Sequence, residues 1–252
     1  MDGVLTMPSQ ERLGKNQITL ARALSKLGIA SRKQAAALIL AGRVDVRGKT
    51  IRSPNVWIDP KQDRITVDGK ALRQRPPVYL VMNKPAGVVT TRSDELGRKT
   101  VYDLLPGETR WLFPVGRLDK DTSGLLLFTN DTRLGDTVTN PLTKLPKTYT
   151  VDVDKPLRPG DKKLMESTFV LNDGTVLKPA KVIVGNTLHS FRMTIIEGKN
   201  RQIRRMCEEL GYEVRSLHRV SIGPIRLGML KEGEVRPLTE KELSEISFVR
   251  IP

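Results

Sequence analysis

Residues 116–129 read Gly-Arg-Leu-Asp-Lys-Asp-Thr-Ser-Gly-Leu-Leu-Leu-Phe-Thr. A polar loop bearing Arg117, Asp119 and Asp121 runs without a break into a continuous apolar stretch, Leu125 to Phe128, of the kind that forms a buried strand. A loop anchored on such a strand holds its side chains on a rigid edge, as a reacting carboxylate requires. Three chemistries fit these residue types. One carboxylate could act as a nucleophile or base. The Asp119–Asp121 pair could hold a divalent metal. Or Asp, Thr, Ser and Gly could do no more than close a turn. Spacing alone leaves all three open. A second set of candidates is basic. Ile203, Met206, Cys207 and Leu210 recur at i, i+3, i+4 and i+7 and make the apolar stripe of a helix, with Arg201, Arg204 and Arg205 off that stripe.

The elements that must position these groups follow from hydrophobic period and turn residues. Residues 1 to about 17 are polar and aperiodic and read as a flexible tail. Leu20, Leu24 and Leu27 recur at helical spacing, with Gly28 as the stop. Ser31 opens a second helix, Gln34 completes a capping box, and Gly42 ends it. Short strands follow at Val44–Val46 and Ile65–Val67, with turns at Arg47-Gly48 and Asp68-Gly69. Arg73 to Pro77 reads as a linker. Beyond it, Tyr79 to Met82 is strand-like and breaks at Asn83-Lys84-Pro85. Tyr149 to Val153 alternates, Val182 to Val184 and Phe191 to Ile196 look like strands, and a helix spans Arg201 to Leu210 with Gly211 as its stop. The expected fold is α+β: a small helix-helix-strand module over 18–72, then a larger mixed-sheet domain over 78–252.

Composition narrows the partner. The 252 residues carry a net charge of +15 and a pI of about 10.1, which favours a polyanion, nucleic acid before an anionic membrane surface. Residues 1–77 hold 15 Lys/Arg against 6 Asp/Glu, so the N-terminal third is the stronger electrostatic handle. No apolar run approaches the roughly 18 residues of a membrane span. A single cysteine, Cys207, excludes an internal disulfide and suits the cytoplasm. With only His189 and His218 beside it, no structural zinc site is expected. Arg22 and Lys26 sit four apart on one helix face, Arg32 and Lys33 open the second helix, and Arg43 follows it. Together they can converge on phosphates, with a solvated basic face as the alternative; as a cluster they favour RNA. The stretch from Leu20 through Gln34, continued by Ala41-Gly-Arg-Val-Asp-Val-Arg-Gly-Lys, resembles the alpha-L RNA-binding motif over about residues 18–72. That resemblance implies binding of structured RNA and no chemistry.

The second unit resembles the RsuA-type pseudouridine synthases that act on ribosomal RNA. Arg117-Leu-Asp119 followed by Thr122-Ser-Gly-Leu-Leu resembles the family signature. Asn83-Lys-Pro-Ala-Gly-Val-Val, Lys147-Thr-Tyr149, Glu197-Gly-Lys-Asn-Arg-Gln-Ile-Arg-Arg-Met206 and Leu217-His-Arg-Val-Ser-Ile-Gly223 resemble its further motifs, in order. The resemblance implies isomerisation of a uridine in rRNA, large-subunit rRNA first and small-subunit rRNA next, by Asp119 and without a cofactor or metal. It gives Arg204 the role of pairing with that carboxylate and Tyr149 that of stacking on a flipped uracil. Arg117 would fill the gap in the RNA or touch its backbone, and Arg201 and Arg205 would contact RNA. Asp121 would be structural. Thr132 and Asn140 depart from residues common in that family and bear on local loop shape. A monomer working on rRNA or a ribosome-assembly intermediate is expected. The alternative is a non-catalytic RNA-binding assembly protein on the same fold.

Overall fold

The computed structural model describes residues 17–60, 62–72, 76–105, 107–108 and 111–247. The tail reading of residues 1–16 and the linker reading of 73–75 lie outside the described residues. The chain divides into two compact units between Pro76 and Pro77.

The first unit runs β1 (Ile18–Thr19), α1 (Leu20–Lys26), α2 (Arg32–Leu40), β2 (Val44–Val46), β3 (Lys49–Ile51), β4 (Trp57–Ile58), β5 (Ile65–Val67) and β6 (Lys70–Ala71). Ser31 caps α2 as its spacing requires: Gln34 N–H donates to Ser31 Oγ at 3.1 Å, and Ser31 N–H donates to Gln34 Oε1 at 3.1 Å. Strands β3-β2-β5-β6 form an antiparallel sheet, and β1 pairs with β4. Leu20, Leu24, Ala35, Ile39, Val44 and Ile65 are buried together as its core.

The second unit runs β7 (Tyr79–Lys84), β8 (Phe113–Val115), β9 (Ser123–Thr129), α3 (Thr132–Thr139), β10 (Lys147–Val153), α4 (Pro159–Met165), β11 (Phe169–Val170), β12 (Val176–Leu177), β13 (Lys181–Val184), β14 (Ser190–Ile195), α5 (Gln202–Glu209), β15 (Val214–Ile222), β16 (Ile225–Arg226), β17 (Val235–Pro237) and α6 (Glu240–Ser247). A nine-stranded mixed sheet carries it, in the order β13-β14-β10-β15-β9-β7-β17, with β8 on β9 and β16 on β15. The β9–β15 pairing is parallel and the others are antiparallel. Every residue of β9 is buried. Leu126 and Phe128 enter the core on one face and Leu125 and Leu127 the core on the other. That two-sided burial explains why the strand reads as a continuous apolar run rather than an alternating one.

The fold is the α+β arrangement expected, with corrections in detail. Strand β7 does not break at Asn83. It continues through Asn83 and Lys84, which pair with Leu125 and Gly124, and stops at Pro85. Strand β15, at nine residues, lies beside β9 and was not identified from the sequence. Its charged and polar residues hide the period. Thr132 begins α3, capped by the side chain of Asp131, and Asn140 Oδ1 accepts from Leu142 N–H at 2.9 Å. Both family departures therefore sit at ordinary helix and turn ends.

Candidate active site

The loop from Gly116 to Thr122 joins β8 to β9. Every carbonyl from Leu118 to Thr122 accepts a hydrogen bond, four of them from outside the loop. Leu118 O accepts from Thr90 Oγ1 at 2.7 Å and Asp119 O from Thr122 N–H at 3.1 Å. Lys120 O accepts from Gly87 N–H at 2.8 Å and from Lys84 Nζ at 3.3 Å. Asp121 O accepts from Arg204 Nη2 at 2.7 Å, and Thr122 O from Lys84 Nζ at 2.7 Å. This division of labour fixes the main chain and leaves the Asp119 carboxylate free for chemistry, as a positioned reacting group needs.

Lys84 is the centre of that scaffold. It is fully buried at the end of β7, and its ammonium also donates to Pro85 O at 3.0 Å. Burial pushes it down to about 8, against the opposing pull of Asp119 and Asp121. Gly124, the second residue of β9, completes the frame. Its φ is +101°, and a Cβ there would lie 2.3 Å from Arg219 O, so only glycine allows β9 and β15 to approach behind the loop.

Asp119 lines a cavity of about 630 Å³ with Arg117, Lys147, Tyr149, Arg201 and Arg219, a size that suits a nucleotide-sized ligand. The sequence reading places Arg204 against Asp119; among the described residues no ion pair joins the two, though the Asp119 charge acts on Arg204. Arg201 Nη1 is the group that faces the carboxylate, at 4.0 Å from Oδ2. The Arg204 guanidinium instead donates to Asp121 O and to Val214 O at 3.0 Å, tying the loop to α5 and β15. Burial and the neighbouring Arg201 charge lower its pKa, while Asp121 and Asp119 oppose that shift. Arg201 sits at φ +47°, ψ +30° as the N-cap of α5, a left-handed conformation that costs a non-glycine residue about 1–2 kcal/mol. The loop leading to it is braced. Glu197 Oε1 accepts from Lys178 N–H at 2.8 Å and Gln202 Nε2 at 2.9 Å, and Lys199 Nζ donates to Val176 O at 2.6 Å.

Tyr149 lies on β10 with 8% exposure, and its hydroxyl oxygen accepts from Arg219 Nη1 at 3.4 Å. Arg117 is exposed at the cavity. Arg205 pairs with Asp173 at 2.6 Å. Hydrogen bonds from Thr175 and the Arg205 charge hold Asp173 at about 2. In the first unit Arg22, Lys26, Arg32 and Lys33 are exposed and make no ion pair among the described residues. Arg43 differs: both Asp68 carboxylate oxygens accept from it, at 2.8 and 2.6 Å. Cys207 is buried, and burial pushes its thiol up to about 12, as inert packing would have it. Among the described residues, no three His, Cys, Asp or Glu side chains gather as a metal site would require. Sequence reasoning missed Lys84 and Arg219. Both lay inside stretches it singled out, Asn83–Val89 and Leu217–Gly223, but a lysine and an arginine in a strand carry no sign of full burial.

Comparison with known proteins adds to this geometry. A family model described as RNA pseudouridylate synthase matches residues 78–209. The chain is 37% identical over 237 residues to an uncharacterized RNA pseudouridine synthase of Aquifex aeolicus, covering 91% of this chain and 94% of that one. It is 35% identical over 232 residues to the ribosomal large subunit pseudouridine synthase B of Bacillus subtilis, covering 90% and 94%. A crystal structure of a pseudouridylate synthase superposes with a TM-score of 0.66 at 31% identity, covering 91% of this chain and 99% of that one.

Proposed function

Because the chain belongs to the RNA pseudouridylate synthase family, whose reaction isomerises uridine in RNA, we propose that it acts on a uridine of ribosomal RNA with Asp119 as the catalytic carboxylate. Large-subunit rRNA is the first candidate, supported by the likeness to the large-subunit enzyme of Bacillus subtilis, and small-subunit rRNA the next. The observation that carries the assignment is the loop itself. Five consecutive carbonyls are anchored while the carboxylate of Asp119, at the cavity, has no side-chain hydrogen bond among the described residues and faces Arg201 at 4.0 Å.

The residues divide the reaction as follows. A base within a helix must leave its stack to be modified. Tyr149 offers a ring to the flipped uracil, and Arg117, exposed at the cavity, meets the RNA it leaves. Arg201 faces the Asp119 carboxylate at 4.0 Å. Asp119 acts at the ribose or the base while N1–C1′ breaks and C5–C1′ forms. No oxidation state changes and no phosphate is spent, so the reaction asks for no cofactor. Arg204 serves as a positioning residue behind the loop. The first unit supplies salt-sensitive RNA affinity through Arg22, Lys26, Arg32 and Lys33. The test is tritium release from rRNA labelled at uridine C5, comparing wild type with Asp119→Asn. Release by the wild type alone is expected. Equal release by both would remove Asp119 from the chemistry.

A further inference from the structure

The cavity contains two cations that the preceding reading leaves without a task. Lys147, opposite Ile195 and Ile222 across β14 and β15, is half-buried at the start of β10. Its Nζ donates to Leu145 O at 3.1 Å, which leaves two N–H groups uncommitted. Arg219, opposite Tyr149, is 5% exposed. Its Nε donates to Leu125 O at 2.7 Å and Nη1 to the Tyr149 hydroxyl oxygen, while Nη2 is buried with no partner. Both line the same cavity, beside Val138, Ile195 and Ile222.

Buried cations are ordinarily paired. Among the described residues no carboxylate pairs with either of these. Of the carboxylates at the cavity, Asp119 faces Arg201, and Glu197 is occupied by Lys178 N–H and Gln202 Nε2. Burial first and the Arg219 charge second push the Lys147 ammonium below its ordinary value. A like-charged pair kept on an apolar floor is what a site needs when negative charge appears there during reaction.

We propose that Lys147, backed by the charge of Arg219, stabilises the uracil as it leaves the ribose by donating to one of its carbonyl oxygens. This rests on the reading of the cavity as the uridine site. When N1–C1′ breaks, its electron pair leaves with N1 and spreads onto O2 and O4. C1′ is compensated either by a bond to the Asp119 carboxylate, which breaks as C5 attacks and frees the carboxylate, or by the C2′–H bond, whose proton Asp119 takes and returns to C2′ when C5 adds. Bonding of C5 to C1′ uses the pair, the C5 proton departs, and N1 gains a proton, so the product is an isomer. Phosphates have the exposed Arg117 and Arg201 at the cavity. Lys147 and Arg219 lie among the apolar side chains instead, where a base and not a phosphate fits.

The probes are transcripts of bacterial large- and small-subunit rRNA tritiated at uridine C5. Single-turnover release and RNA affinity are measured for wild type, Lys147→Met and Lys147→Arg. Loss of one preorganised donor to a developing anion predicts about a hundredfold slower release for Lys147→Met, with affinity within about threefold and most of the rate retained by Lys147→Arg. A second arm uses transcripts carrying 2-thiouridine or 4-thiouridine, in which sulfur is the weaker acceptor. One of them is expected to slow the wild type more than Lys147→Met, and it identifies the oxygen. An unchanged rate in Lys147→Met, a loss of affinity alone, or equal slowing of both proteins by both thio-transcripts would overturn the assignment while leaving the reaction in place. A wild type that releases no tritium from either transcript would overturn the reading of the site, and this assignment with it.

Discussion

Replacing Lys84 by methionine separates the positioning of Asp119 from the stability of the fold. The ammonium serves Pro85 O, Lys120 O and Thr122 O at 3.0, 3.3 and 2.7 Å. In the variant Lys120 O keeps the Gly87 N–H, but Pro85 O and Thr122 O lose this donor. An orphaned buried acceptor costs about 1–3 kcal/mol, so two cost roughly 2–6 kcal/mol. Against this stands the burial that lowers the ammonium from its ordinary 10.5 to about 8. At neutral pH that drop disfavours the charged side chain by roughly 3 kcal/mol, a cost methionine does not carry. The net change then lies between about 1 kcal/mol gained and about 3 kcal/mol lost, or at most about 10 °C lost in Tm for a unit of this size. Catalysis has no such compensation. A reacting group displaced by about 1 Å loses roughly a hundredfold in rate. Single-turnover tritium release, thermal denaturation and RNA binding are the assays. The expected result is a hundredfold slower reaction, to within an order of magnitude, with affinity unchanged. A variant of full activity would show that the carbonyl anchors are dispensable. A collapse in Tm well beyond 10 °C would show that the relief of a buried charge has been overestimated.

Lys84 also sets an alkaline limit. Its folded pKa of about 8 lies below the ordinary 10.5, so between these values the unfolded chain binds more protons and the contribution of this group to stability rises with pH. The rate should nonetheless fall above pH 8, as the ammonium loses a proton that its carbonyl partners use; a pH–rate profile for wild type and Lys84→Met, with Tm measured alongside, checks both halves of the statement. Changing Arg22, Lys26, Arg32 and Lys33 together to glutamine should flatten the slope of log K against log salt by about 3, measured by RNA binding across a salt series, whereas Arg43→Gln should leave the slope nearly unchanged because Asp68 already occupies that guanidinium. Gly124→Ala should cost roughly 2–6 kcal/mol from backbone strain and the clash with Arg219 O; a wild-type denaturation curve would contradict the tight β9–β15 approach. Arg201→Gln should slow tritium release about fivefold, the worth of an exposed ion pair near 1 kcal/mol, while Arg205→Gln should leave the rate unaltered.

What the sequence made legible depends on how local the signal is. The capping box of Ser31 and Gln34 and the buried run of β9 are written in neighbouring residues, and both appear where expected. Strand β15 is written in contacts. Its Val214, Leu217, Ile222 and Arg219 face partners on β9 and β10 that lie 61 to 95 residues away in the chain, and a charged residue within it looks like surface until its neighbours are known. Lys84 is the extreme case. A lysine before a proline reads as the end of a strand, and only the approach of two carbonyls from a loop 36 and 38 residues away, beside that of Pro85, makes burial tolerable.

The different contacts of Arg201 and Arg204 have the same origin. Helix period places both off the apolar stripe of α5, so periodicity cannot rank them. The difference arises at the helix start, where Arg201 takes a left-handed conformation at the N-cap position of α5. Its side chain leaves the helix surface and reaches the cavity, while Arg204, inside the first turn, meets the back of the loop at Asp121 O. One arginine thus faces the carboxylate and the other holds the main chain that carries it. The arrangement argues for two different losses on substitution. Removing Arg201 weakens a charge interaction and tolerates lysine. Removing Arg204 releases Asp121 O and Val214 O together, and lysine, with no planar fork, cannot serve two carbonyls in the same geometry.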